Sequence, residues 1–170
     1  CTGDRLDGTD TEPNMYVGMI INRSLADTTD SVTGLGDIHA LVNAIGEMRR
    51  VARKASLVAI KIDEIARVNA RFGFDAGDRV LAESAACLMD CSRGKGRLFR
   101  STGPTFVALF DELGPEAIDE IASDIERFLG SPVLIGSLEY QPPIRVATLH
   151  LDAVDRQPVS ILNELKALLG

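Results

Sequence analysis

The run Leu57-Val58-Ala59-Ile60-Lys61-Ile62 limits the fold more than any other stretch of the chain. A short continuous apolar run bounded by turn signals suits the centre of a sheet, so residues 57–62 are predicted to form a buried inner strand. Helices are expected around it. Ile38, Leu41, Val42, Ile45, Met48 and Ala52 recur at helical spacing, giving a helix from Asp37 to near Arg53. A short helix over 64–71 and a longer one over 75–90 follow, the latter with Val80, Leu81, Leu88 and Met89 inward. Strands at 97–101 and 105–110 flank Thr102-Gly103-Pro104, which reads as a hairpin turn.

Beyond the hairpin, Ile118, Ile121, Ala122, Ile125 and Phe128 form one stripe of a helix over 116–129 that should lie on the sheet. Short strands are expected at 133–135 and 144–151, and Pro158 precedes a last helix over 159–169. Strands alternating with helices around a hairpin predict an α/β domain, a two-layer sandwich with a central mixed sheet.

A chain of 170 residues with 45% hydrophobic content is enough for one domain with a real core and a short appendage. Residues 1–14 are polar and read as a flexible leader, while 15–29 hold a strand (Tyr16 to Arg23) and a polar linker. The domain proper is placed at 30–170. The net charge is −7 and no block of Lys or Arg stands out, which argues against electrostatic attachment to nucleic acid or an anionic membrane. No apolar run approaches the ~18 residues needed to cross a bilayer, so the segment reads as soluble and cytoplasmic, without membrane contact. An odd count of three cysteines suits that reducing compartment. Cys87 and Cys91 share a helix face, as buried small hydrophobes or as a metal pair, though His39 and His150 are remote in sequence. Cys1 allows a lipid-modified start or a piece of a longer protein.

Two motifs carry a family resemblance. Asp30-Ser31-Val32-Thr33-Gly34-Leu35 matches a D-x-L-T-G-L box with Val32 for Leu, and Asn69, Gly73, Gly77 and Asp78 match an N-D-x-x-G-H-x-x-G-D box. In this order and spacing, over residues 28–170, they resemble the GGDEF family of bacterial domains, whose active members condense two GTP molecules into cyclic di-GMP. The resemblance implies a nucleotide cyclase or polymerase palm-like fold. The signature that names the family is reduced here to Thr102-Gly103-Pro104-Thr105-Phe106. Residues 15–29 are similar to the end of a PAS-type sensor domain, or are an extra strand of the domain itself.

Joining a 3′-hydroxyl to an α-phosphate needs carboxylates that place divalent cations and groups that hold the base. The resemblance puts the family's two metal carboxylates at Lys61 and Pro104, and a catalytic Glu at Thr105. Neither Lys61 nor Pro104 can ligate Mg²⁺, and Thr105 can only hydrogen-bond where the catalytic Glu would stand, so no catalytic and no metal-binding residue is expected, and Mg²⁺ is not expected as a cofactor. Asp63 matches the second acid of the family's D-x-D and shares a strand face with Lys61. The guanine contacts fall on Asn69 and Asp78, both intact. They are retained for GTP, or they are relics in which Asp78 begins or caps one helix and Asn69 ends another. Lys61 either neutralises phosphates or forms a salt bridge to Asp63, Asp111 or Glu64. Arg100 matches a basic residue common before the signature, and Gly103 completes the expected nucleotide-binding set. The product-inhibition motif R-x-x-D is reduced to Arg93-Gly94-Lys95-Gly96, which lacks the acid.

The chain is therefore expected to be a catalytically inactive, degenerate domain from a multidomain cyclic di-GMP signalling protein. It would bind GTP to regulate an adjacent EAL phosphodiesterase domain. The alternative is a ligand-free module for dimerisation or signal transmission, with an active cyclase ranked last.

Overall fold

A computed structural model describes residues 28–92, 94–153 and 155–170. The expected leader and most of the expected strand and linker at 15–29 lie outside these residues. Strand β1 (Ala55–Ile62) is buried at every position except Lys61, which is partly exposed. Because side chains alternate along a strand, Val58, Ile60 and Ile62 serve one face and Ala55, Leu57 and Ala59 the other. A strand apolar on both faces needs cover on both.

That cover comes from helices. Their order with the strands is α1 (Ile38–Arg50), β1, α2 (Ile65–Phe72), α3 (Phe74–Ser92), β2 (Gly96–Thr102), β3 (Thr105–Asp111) and α4 (Pro115–Leu129), followed by β4 (Val133–Ile135), β5 (Leu138–Tyr140), β6 (Ile144–Leu151) and α5 (Pro158–Leu169). Val80 and Leu81 of α3 and Ile118 and Ile125 of α4 pack with Val58, Ile60, Phe106 and Phe110 on one face. Leu41 and Ile45 of α1 and Ile161 and Leu165 of α5 pack with Leu57, Ala59, Val107 and Leu109 on the other. The molecule is α/β as expected. It has three layers where two were expected, because both faces of β1 are apolar.

The main sheet has the order β2-β3-β1-β6, and every ladder in it is antiparallel. The crossover through α2 and α3 does join two strands of like direction, β1 and β2, which is what suggested a mixed sheet. The return strand of the hairpin, β3, slots between them and makes both contacts antiparallel. The parallel contact that remains is a bridge from Gly36 to Phe99. Gly36 is close against that ring: a Cβ there would lie 2.7 Å from Phe99 Cδ1.

Local chemistry sets most element ends. Asp37 caps α1 by accepting from the amides of His39 and Ala40 at 2.9 and 3.1 Å. The helix ends at Arg50, short of Arg53, because Ala52 turns left-handed at φ +50°. Ala52 is therefore exposed rather than part of the apolar stripe. Pro115 and Pro158 begin α4 and α5, where a missing N–H costs nothing. Met89 and Phe128, expected to face inward, are 49% and 50% exposed. Each adjoins a buried leucine, Leu88 or Leu129, and one step along a helix turns a side chain by ~100°. Strand β5 was not expected; three residues show no usable alternation, and it pairs only with β4. Cys87 and Cys91 lie 4.0 Å apart, and burial, with Cys91 beside it, pushes the Cys87 thiol up to about 12. It stays a protonated, poorly nucleophilic thiol.

Candidate functional site

The end of β1 and the β2–β3 hairpin are held together by backbone pairing. Lys61 stands opposite Thr105 on one side and Arg145 on the other, and Ile62 N–H donates to the Pro104 carbonyl at 3.0 Å. Gly103 turns the hairpin at φ +52°, a value that favours glycine. The resemblance's two metal positions are thus neighbours in space. They carry an ammonium and a prolyl ring, neither of which has a lone pair for a metal, and the one side-chain oxygen next to them is the Thr105 hydroxyl, so the set does not fit Mg²⁺.

All three carboxylates expected as salt-bridge partners of Lys61 are taken by arginines. Asp63 accepts from Arg145 Nε at 2.8 Å, Asp111 pairs with Arg53 at 2.7 Å, and Glu64 with Arg67 at 2.8 Å. Among the described residues Lys61 has no ion pair. It lines a cavity of about 690 Å³ together with hairpin residues 101–105, Gly103 included. Arg145 was missed at the sequence level. It also donates to the carbonyls of Leu169 and Gly170 at 3.2 and 3.3 Å, tying the end of β1 to the end of α5. The strand carrying it was foreseen; its register, which brings Arg145 beside Lys61, was not.

Arg100 is not free to meet a nucleotide in this arrangement. Its Nε donates to Gly103 O at 2.8 Å and Nη1 to both oxygens of Asp30 at 3.1 and 3.2 Å, clamping the hairpin to the turn at 30–33. Burial pushes the Asp30 carboxyl up. Hydrogen bonds from the Thr33 hydroxyl and amide, and from Arg100, outweigh burial and leave it below its ordinary value of 3.8. A carboxyl depressed in the folded state contributes stability that is present above the ordinary value and lost as pH falls through the folded one. Arg100→Met should cost about 1–3 kcal/mol in urea unfolding at pH 7, since it leaves Asp30 half-satisfied. The difference from the parent protein should shrink as pH falls through the lowered Asp30 value, leaving only what the bond to the Gly103 carbonyl contributes; a gap that does not shrink at all between pH 7 and the acid limit of folding would refute the clamp's charge dependence.

The guanine-box residues assemble elsewhere, at the junction of α2 and α3. Gly73, at φ +94°, ends α2 with its N–H on the Asn69 carbonyl at 2.9 Å, and α3 starts one residue later. Gly77 leaves room for the Asn69 amide: a Cβ there would lie 1.8 Å from Oδ1. That Oδ1 is buried without a hydrogen-bond partner. Asp78 follows directly, exposed and inside α3, so it does not cap the helix. Asn69 and Asp78 are therefore brought together at one junction. Neither lines the cavity beside Lys61, and neither do Asp63 and Arg100. Arg93 of the reduced product-inhibition motif lies outside the described residues.

The family model described as diguanylate cyclase, GGDEF domain, matches residues 27–147. The chain belongs to the GGDEF family. It is similar to the cyclic di-GMP phosphodiesterase PdeR of Escherichia coli, with 30% identity over 113 residues, 65% of this chain and 17% of that protein. It is also similar to the diguanylate cyclase DgcS of Shewanella oneidensis, 30% identical over 84 residues, 47% of this chain and 28% of that protein. The chain thus spans less than a third of the length of either relative. Among solved structures, the diguanylate cyclase SiaD of Pseudomonas aeruginosa, crystallised with its activator SiaC, has a TM-score of 0.77 at 21% identity, covering 92% of this chain and 63% of that one. The FimX GGDEF domain of the same organism also scores 0.77, at 16% identity, covering 84% of this chain and 91% of that one. At these identities the likeness is one of fold. No helix among the described residues is long and apolar enough to cross a membrane.

Proposed function

We propose that this GGDEF domain is a catalytically silent regulatory module in cyclic di-GMP signalling, which binds GTP weakly and without Mg²⁺. The observation that carries the reading is Lys61, an ammonium without an ion pair among the described residues, at the hairpin where the family's chemistry needs two metal-bound carboxylates. An ammonium can offset phosphate charge, and it cannot hold the cation that activates the reaction. Asn69 and an exposed Asp78, both kept at the junction of α2 and α3, support a retained purine contact, an amide and a carboxylate being suited to a guanine edge. Likeness to PdeR, a cyclic di-GMP phosphodiesterase, supports a place beside a phosphodiesterase domain in a longer chain. The ligand-free module, working through dimerisation or signal transmission, is the second reading. It is favoured by Arg100 and Asp63, whose charges are already spent within the protein.

Titration of the purified protein with GTP, ATP and cyclic di-GMP, in EDTA and in millimolar Mg²⁺, separates the two. GTP binding is expected to be guanine-selective and nearly indifferent to Mg²⁺. Asp78→Ala should weaken it by about 1–3 kcal/mol, and Lys61→Asp should weaken it in EDTA while making it respond to metal. Equal affinity for ATP, or loss of binding in EDTA, would hand the case to the ligand-free module.

A further inference from the structure

The cavity beside Lys61 is mostly apolar. Its floor is the cross-strand pair Ala59 and Val107, and Ala59 faces Ala147 on β6, so the sheet is shallow where α1 and α5 pass over it. Val42 of α1 and Leu162 and Leu165 of α5 form the walls, and Val159, 55% exposed, stands at the rim. Two side chains on the lining carry charge, Lys61 and Lys166. Both are cations, in a chain whose net charge is −7, and no carboxylate side chain joins them. At about 690 Å³ the volume falls within the range of small-molecule sites.

We propose that this cavity binds an amphipathic monoanion, a small molecule with an apolar chain or ring body and a single carboxylate, seated with its head on Lys61 and its body between α1 and α5. The polar side chains of the lining, Asn43, Ser101, Thr102, Thr105 and Asn163 with the two lysines, cover the smaller part of its surface, so the larger part of this space suits an apolar body better than the polar edges of a purine and ribose. Guanine recognition plays no part in this site, because Asn69 and Asp78 lie off the cavity. An apolar body gains by leaving water, and the ammonium without an ion pair selects the charged head.

Isothermal titration of the full chain with decanoate, kept below its micelle concentration, tests this against decan-1-ol, GTP, and vesicles of phosphatidylglycerol. One-to-one saturable binding of decanoate is expected, with decan-1-ol about tenfold weaker. Lys61→Met should bring the two to parity. Ala59→Leu should abolish both by filling the floor; if that variant does not fold by circular dichroism, Leu162→Trp fills the cavity from the helix side. No saturable binding, equal binding of alcohol and carboxylate by the parent protein, or binding to vesicles without binding to monomeric decanoate would overturn the proposal. So would binding untouched by the filling variant. The GTP arm is read separately. Decanoate binding without GTP binding leaves this site standing and sinks the nucleotide reading, and GTP binding without decanoate binding does the reverse.

Discussion

Incubated with millimolar GTP and Mg²⁺, the protein is expected to form no cyclic di-GMP above background. The end of β1 and the hairpin turn are in register, with Ile62 N–H on the Pro104 carbonyl, so the two positions where the family's carboxylates would stand are neighbours. The carboxylates themselves are missing. Losing both and adding a cation at Lys61 removes several kcal/mol of transition-state stabilisation, and each ~1.4 kcal/mol is a factor of ten in rate. The rate should therefore fall by at least about a thousandfold from that of a competent site. Lys61→Asp with Pro104→Glu restores the donor set but leaves Thr105 in place of a catalytic Glu, so a triple variant with Thr105→Glu is the fair rescue. Product seen by chromatography from the unaltered protein, at micromolar concentration, would contradict the silent-domain reading outright.

Phe106→Ala is expected to be the most damaging single core substitution near the site. Phe106 is 1% exposed, pairs across the sheet with Ile60 and Arg100, and belongs to the cluster under α3 and α4. Removing a buried phenyl ring costs about 3–5 kcal/mol through lost transfer energy and the cavity left behind. A domain of this size has roughly 5–15 kcal/mol in all. Urea unfolding should show a large drop in midpoint. Thr105→Ala, one residue away and partly exposed, should move it by less than about 0.5 kcal/mol. Comparable effects for the two variants would mean that the hairpin does not anchor the core as described.

The elements were legible in the sequence wherever a run was long and periodic. β1 was readable from its unbroken apolar run, β6 from its length, and α4 from a stripe spaced for a helix. Strand pairing was not, because it depends on where β3 inserts, and a local pattern holds no record of which strand a hairpin slides beside. The site divided in the same way. Lys61, Asn69, Asp78 and Gly103 were expected from motif positions to form one nucleotide site, and the structure groups them as Lys61 with Gly103, and Asn69 with Asp78 at the α2–α3 junction. Arg100 was also found, but its engagement with Asp30, seventy residues upstream, could not be seen. Arg145 was missed because its importance lies in register, and a shift of one residue would have turned it to the other face.

The bridge from Gly36 to Phe99 also bears on self-association. A sheet's outermost strands carry unpaired amides and carbonyls that invite another chain to add on. On the β2 side, the backbone around Gly36 occupies part of that ladder, with Arg100 N–H bonded to the Gly36 carbonyl at 2.7 Å. Among the described residues β6 has no second strand beside it. It begins just after Pro143, which has no amide to offer, and it carries exposed Arg145 and His150. Strand addition by a second copy is thus hindered on one side and discouraged on the other. A shortened chain that began after Gly36 would uncover β2, with Phe99 behind it, and would be expected to aggregate before it lost its fold.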